Sequence, residues 1–224
     1  MIQDIWPKHL DNQYKNLKPG NEDTVFYFQG SSLLARPSGH FNSQNPEENV
    51  LIYPQYDEFV QGIKSSYGDK AVDNFEFIYL LSIDEEHFFL ARKTGSLERG
   101  TFLGEMADSA VHKDMYSFVR GYEFIGVDSF RKAQPREHAY AAITAFHLYG
   151  WYRDNHFCGR CGKPLKHDDK QRMLRCYCCK NMVFPKICPA VIVAVTDKDR
   201  ILLTKYAGRT YRNYALIAGF TEIG

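Results

Sequence analysis

Cys158-Gly-Arg-Cys161, followed after fourteen residues by Cys176-Tyr-Cys-Cys179, is the stretch that divides the chain and sets what each side can be. Two C-x-x-C pairs at that separation match the four-thiolate zinc pattern. Each pair turns back tightly enough to set two sulfurs on one Zn2+ at about 2.3 Å, and the segment between them folds as a hairpin that closes the tetrahedron. Cys158, Cys161, Cys176 and Cys179 are therefore the expected zinc ligands. Four thiolates leave no position open for water or substrate, so the expected role is structural. Its binding energy, about 10 kcal/mol or more, then becomes folding energy for a segment with little core of its own. Gly159 and Gly162 stand where tight turns are wanted. The competing reading is a redox pair or unrelated thiols; one C-x-x-C leaves that open, and two in register favour the metal. His147 and His156 lie near in sequence, but four cysteines already satisfy the ion. Of the two remaining thiols, Cys178 is expected to point away from the metal and Cys188 to enter the next sheet as a small apolar residue.

Composition limits the class more than the function. The chain has 224 residues, 44% of them apolar, enough for a sizeable core in one or two domains. A net charge of +1 argues against a strongly basic nucleic-acid binder and against an acidic tail. Met1-Ile-Gln-Asp-Ile-Trp-Pro has no basic start followed by an apolar run, and no segment has the continuous apolar length of a membrane span, so neither a signal peptide nor a span is expected. Five of the six cysteines fall within 158–179, which reads as metal thiolates in a reducing cytoplasm. The fifteen tyrosines and sixteen phenylalanines point to β-rich packing.

Residues 1–22 are polar and read as an arm lying on something else. Thr24-Val-Phe-Tyr-Phe28, Gly30-Ser and Ser32-Leu-Leu-Ala35 read as a hairpin, and Pro37 to Asn49 as a loop. Phe59, Ile63 and Tyr67 at helical spacing predict a short helix over 56–67 ahead of Gly68. Phe75–Ile83 and His87–Ala91, joined by a turn at Asp84-Glu-Glu86, form the strongest strand pair. The region to about residue 131 thus reads as a small α+β or mostly-β domain. His9, His40, His87 and His112 are expected to be ordinary residues, and Arg36 and Arg120 solvated charges.

Pro135 opens a helix in which Ala139, Ala142, Ile143 and Phe146 share one face, running to about Trp151 and tying the first domain to the cysteines. Beyond the cysteines, Ala190–Val195 reads as a buried strand, Ile201–Tyr206 as a second and Tyr214–Ala218 as a third that runs into Gly219-Phe-Thr-Glu-Ile-Gly224. Two or three apolar strands cannot close a core, so the expectation is a fragment of a longer protein or a domain that finishes on a partner.

Residues 134–224 resemble the NADH pyrophosphatase (NAD diphosphatase) branch of the Nudix hydrolases. The matching residues are Trp151, Phe157-Cys-Gly-Arg-Cys-Gly162, Cys176, Cys179, Phe184-Pro185, the strand at 190–195, Ile201-Leu-Leu203 and Ala218-Gly-Phe-Thr-Glu-Ile-Gly224. The last of these resembles the opening of the Nudix box, G-x5-E-x7-R-E-U-x-E-E-x-G-U, with Gly219 as its first glycine. The resemblance implies an α+β protein with an N-terminal mostly-β domain (1–131), a linking helix (132–155), a four-Cys zinc ribbon (156–187) and the first strands of a Nudix α/β/α sandwich (188–224). It also implies hydrolysis of the pyrophosphate bond of NAD(H) to nicotinamide mononucleotide and AMP, with NAD-capped RNA as a further substrate, by a cytoplasmic homodimer.

In that family the glutamates of the R-E-U-x-E-E helix hold Mg2+ or Mn2+. No catalytic residue of that set falls within 1–224, and Glu222 alone cannot supply the chemistry, so the chain by itself is expected to be inactive. Three positions carry over: the backbone carbonyl of Ala218 as a Mg2+ or Mn2+ ligand, and Phe184 and Phe220 as aromatic faces for a base of the dinucleotide. Phe184 stands where some members have tyrosine, which keeps stacking and loses a hydroxyl. For both rings the alternative is core packing. Arg131, in Ser129-Phe-Arg131, resembles a family position able to reach a phosphate. A reading from a different class makes the ribbon, with Arg160, Lys163, Lys166, Arg172, Arg175 and Lys180, a nucleic-acid or protein-binding module without catalysis; Asp168-Asp169 in the hairpin tells against it.

Overall fold

The computed structural model describes residues 2–39, 49–94, 118–208 and 212–222. The chain divides into two compact units, Met1–Phe184 and Pro185–Gly224. It is mixed α+β, with several small sheets and two α-helices among the described residues. None of these helices is long and apolar enough to cross a membrane. His40 and His112 lie outside the described residues, as does most of the expected loop at 37–49.

The first unit begins with β1 (Leu10–Asp11), β2 (Thr24–Phe26), β3 (Phe28–Gln29), β4 (Ser32–Ser38) and β5 (Val50–Ile52). Helix α1 (Tyr56–Tyr67) follows, then β6 (Phe75–Ile83), β7 (Glu86–Lys93), β8 (Glu123–Gly126) and helix α2 (Arg136–Asp154). One sheet has the order β1-β6-β7-β2; in the other, β4 is flanked by β3, β5 and β8. The strands alternate between two cores. Phe26, Leu33, Leu80, Phe88 and Leu90 enter one with Ala139, Ala142, Ala145 and Tyr152 of α2. Val25, Tyr27, Leu34, Tyr79 and Phe89 enter the other with Phe59 and Ile63 of α1. Period-two alternation therefore places α1 and α2 on opposite faces of the β layer.

The meander and α1 stand where periodicity places them. Helix α1 starts with Asp57 and Glu58 and ends with Lys64, each charge opposed to the helix dipole at its end. The run Thr24–Phe28 departs from the expected hairpin. β3 does pair antiparallel with β4, but β2 pairs parallel with β7 in the other sheet. Alternation continues unbroken through Tyr27 while the hydrogen-bonding partner changes, so side-chain pattern alone could not reveal the switch. Helix α2 has Pro135 at its N-cap and runs three residues past Trp151.

A β-bulge interrupts β6. Tyr79 faces Phe89 and Leu81 faces Phe88, so Leu80 has no partner on β7. The extra residue shifts the alternation, so that Leu80 and Leu81 enter the same core. The arm lies on this sheet: β1 pairs with Ser82 and Ile83, and the Asp84 N–H donates to the His9 carbonyl at 2.9 Å.

In the second unit, β12 (Ala190–Val193) pairs antiparallel with β15 (Ile217–Phe220), while β13 (Thr196–Asp197) pairs with β14 (Arg200–Ile201). The expected second strand shortens to Arg200–Ile201 with a bridge from Thr204 to Ala215. The third is displaced forward, so that Gly219 and Phe220 lie in the ladder opposite Val191 and Ala190. Ala190–Val195 is not a buried strand: Val191, Ile192, Val193 and Val195 are all exposed. Two-stranded ladders have too few neighbours to cover an apolar face.

Candidate metal centre

After α2 in the chain, β9 (Lys166–His167), β10 (Leu174–Arg175) and β11 (Met182–Val183) form a three-stranded antiparallel sheet. His167, Leu174 and Val183 lie opposite one another in one row, and Lys166, Arg175 and Met182 in the other. Leu174 is buried in the core under α2, so the first row faces the protein.

The cysteines sit on two turns of the same construction. The Cys158 N–H donates to Lys163 O and the Gly162 N–H to Cys158 O, both at 2.8 Å. At the same offsets, the Cys176 N–H donates to Asn181 O and the Lys180 N–H to Cys176 O, both at 2.9 Å. Gly162 and Lys180, each four residues after the first cysteine of its pair, have φ of +69° and +61°. The first turn fills this left-handed position with glycine; the second carries a lysine there. Backbone N–H groups also reach the sulfurs in register. Arg160 and Cys161 donate to Cys158, Cys178 and Cys179 donate to Cys176, Lys163 to Cys161 and Asn181 to Cys179.

This geometry gathers Cys158, Cys161, Cys176 and Cys179 so that their four Sγ atoms lie within 4.8 Å of one another. Cys158 Sγ is 3.5 Å from Cys179 Sγ, and Cys161 Sγ is 3.4 Å from Cys176 Sγ. A regular tetrahedron with metal–sulfur bonds of about 2.3 Å has edges of about 3.8 Å, so the donor set fits one metal ion. The thiols themselves divide. Burial opposes ionisation of Cys158, yet the N–H groups of Arg160 and Cys161 and the Cys179 thiol outweigh it and bring its pKa down to about 6. Cys161 receives an N–H from Lys163, but its contacts with Cys176, burial and the remaining thiols push it up to about 12. Four thiolates this close need a cation among them.

His147 and His156 are not among the clustered donors. Cys178 is exposed and outside the cluster. Cys188 is exposed and precedes β12, a correction to its expected place inside a sheet, and it follows from the uncovered faces there. Two of the six basic ribbon residues are not free surface. Arg175 pairs with Asp168 at 3.4 Å. Arg172 is mostly buried; it donates to Leu80 O and to Asn12 O, with its guanidinium 5.8 Å from the Tyr14 ring centroid. Arg172 thus serves the carbonyl of the bulged residue Leu80. Opposite it, the Tyr152 hydroxyl donates to His167 Nε2 at 2.8 Å while Nδ1–H donates to Asp168 O at 2.8 Å. Those two contacts fasten the ribbon to the arm, β6 and α2, and nothing in the spacing of Arg172 or Tyr152 announced them.

Phe184 and Phe220 are both exposed, at 48% and 79%. Ala218 lies in β15 opposite Ile192. The Arg131 side chain lies outside the described residues; its backbone forms part of a short 3-10 helix at Val127–Lys132. Arg36 is not simply solvated, since its guanidinium stacks 5.0 Å from the Tyr122 ring centroid.

No family model matches the chain. Curated relatives do. Proteins named NAD-capped RNA hydrolase NudC from Salmonella typhi, Salmonella heidelberg (strain SL476) and Salmonella newport (strain SL254) are each 34% identical over 77 residues. The resemblance is to NudC. The matched stretch is 34% of this chain and spans 30% of the length of each NudC relative.

Proposed function

We propose that this chain is part of a NudC-type Nudix hydrolase, which cleaves the pyrophosphate bond of NAD(H) to nicotinamide mononucleotide and AMP and removes NAD caps from RNA. The observation that carries the reading is the 34% identity to NudC proteins over 77 residues. The paired cysteine turns agree with it. In this reading residues 1–131 form the N-terminal domain, 132–155 the linking helix, 156–187 the ribbon and 188–224 the opening of the Nudix sandwich.

Cys158, Cys161, Cys176 and Cys179 hold a structural Zn2+, since four sulfurs complete its coordination and leave no site for a reacting water. Catalysis in the whole protein uses Mg2+ or Mn2+, which supplies Lewis-acid polarisation of the phosphates when bound. The Ala218 carbonyl is one ligand to that cation. The exposed rings of Phe184 and Phe220 offer flat faces to the bases, and Arg131 contributes a cation for a phosphate. The protein acts as a cytoplasmic homodimer. The matched stretch spans 30% of the length of the NudC relatives, so this activity is proposed for the whole protein.

The test is a magnesium- or manganese-dependent assay of the whole gene product on NADH and on NAD-capped RNA. Nicotinamide mononucleotide as a product of both supports the reading. Absence of cleavage with either metal, together with RNA binding that weakens steeply with salt, replaces it with the ribbon-as-binding-module reading.

A further inference from the structure

A cavity of about 380 Å3 opens in the first unit where the arm, β6, β7, the end of α2 and β9 meet. Pockets that hold small molecules begin at about 300 Å3 and favour junctions of this kind. Its wall combines opposite charges. Arg92 and Lys166 face it as cations, Glu76 and Asp169 as carboxylates.

Arg92 is the centre of the arrangement. It pairs with Glu76 at 3.3 Å, and its guanidinium lies 5.1 Å from the Tyr152 ring centroid. Its Nε–H is buried and has no acceptor among the described residues. The guanidinium lines the cavity, and its forked N–H groups suit a ligand rich in oxygen acceptors. The imidazoles beside it add no charge at neutral pH. His167 is fixed as a neutral tautomer between Tyr152 and Asp168 O, and burial lowers the pKa of both His156 and His167. Tyr14 contributes an aromatic ring to the same wall.

A matching ligand carries an oxyanion for Arg92 and Lys166, hydroxyl or amino donors for Glu76 and Asp169, and a planar ring for Tyr14. We propose that this cavity binds a nucleoside 5′-monophosphate. Its phosphate meets the two cations, its ribose diol the carboxylates, and its base the tyrosine. The choice of AMP as the nucleotide rests on the hydrolase reading, in which each turnover releases it; the chemistry of the cavity does not. The site lies in the first unit and would make the ribbon's seat on β6 sensitive to product.

The experiment is calorimetric titration of the zinc-loaded chain with AMP, adenosine and inorganic phosphate, without Mg2+ or Mn2+. Saturable AMP binding is expected, weakened about tenfold or more by Arg92→Gln and by Lys166→Glu, with adenosine and phosphate each binding at least about tenfold more weakly than AMP. Lys166 is exposed, so its charge reversal tests the site even if Arg92→Gln fails to fold. The proposal is overturned by absence of saturable AMP binding, or by AMP affinity unchanged in Lys166→Glu. Phosphate binding as tightly as AMP reduces the cavity to an oxyanion site and overturns the nucleotide assignment. Because no turnover is read, the outcome is independent of whether the whole protein hydrolyses NADH.

Discussion

Replacing Arg172 by methionine removes the guanidinium that enters the first unit from the ribbon while keeping most of the stem. Leu80 is fully buried, and as the bulged residue of β6 it has no partner on β7, so its carbonyl depends on Arg172. Leaving a buried carbonyl unmatched costs about 1–3 kcal/mol. The bond to Asn12 O, at 3.4 Å and exposed, adds about half a kcal/mol at most. Against this, burial disfavours the arginine charge and lowers its pKa, so removing the cation recovers part of a desolvation penalty. The balance is a loss of about 2 kcal/mol, a drop of about 4–8 °C in the melting temperature of a unit this size. Arg172→Lys keeps the charge but cannot fork to two carbonyls, so it should fall between methionine and the native protein. Equilibrium urea unfolding of the zinc-loaded protein measures all three. A methionine variant within about half a kcal/mol of native would refute the reasoning and show that the Leu80 carbonyl is satisfied without Arg172.

Other expectations follow from single sites. Cys176→Ser should abolish stoichiometric zinc binding and unfold the ribbon, whereas Cys178→Ser should leave metal content unchanged; metal analysis after dialysis separates them. Gly62→Ala should destabilise the protein by about 1 kcal/mol despite better helix propensity, because the new Cβ would stand 2.7 Å from Phe118 O and 3.0 Å from Val119 Cγ2; thermal melting reads the sign. His167 is half-buried and neutral with its pKa below the ordinary value, so the unfolded chain takes up a proton that the folded chain refuses as pH falls through about 6.5. Its contribution to stability is therefore complete above that pH and declines below it. Urea unfolding at about pH 7.5 and about 5.5 should show a larger loss for the native protein than for His167→Gln, and equal losses would contradict the assignment.

The local rules were legible because they act over a few residues. Two C-x-x-C turns fix their own geometry, α1 carries its apolar face at helical spacing, and the β6–β7 meander is a short-range hairpin. The rest depends on distant partners. Thr24–Phe28 reads as one strand because its alternation is continuous, yet its hydrogen bonds are divided between two sheets. Arg172 reads as ribbon surface because no sequence rule links residue 172 to a bulge at residue 80. Ala190–Val195 reads as buried from its β-branched residues, but burial is set by what covers a strand. The cavity beside Arg92 draws its wall from stretches as far apart as Tyr14 and Asp169, which no local pattern could unite.

X-ray absorption at the zinc edge of the purified chain tests the metal centre most directly. One zinc ion per chain surrounded by four sulfurs at about 2.3 Å, with no nitrogen or oxygen neighbour, is the expected result. A shell with fewer than four sulfurs, or a folded protein without zinc, would contradict the closed four-thiolate site on which the ribbon and its place in the fold depend.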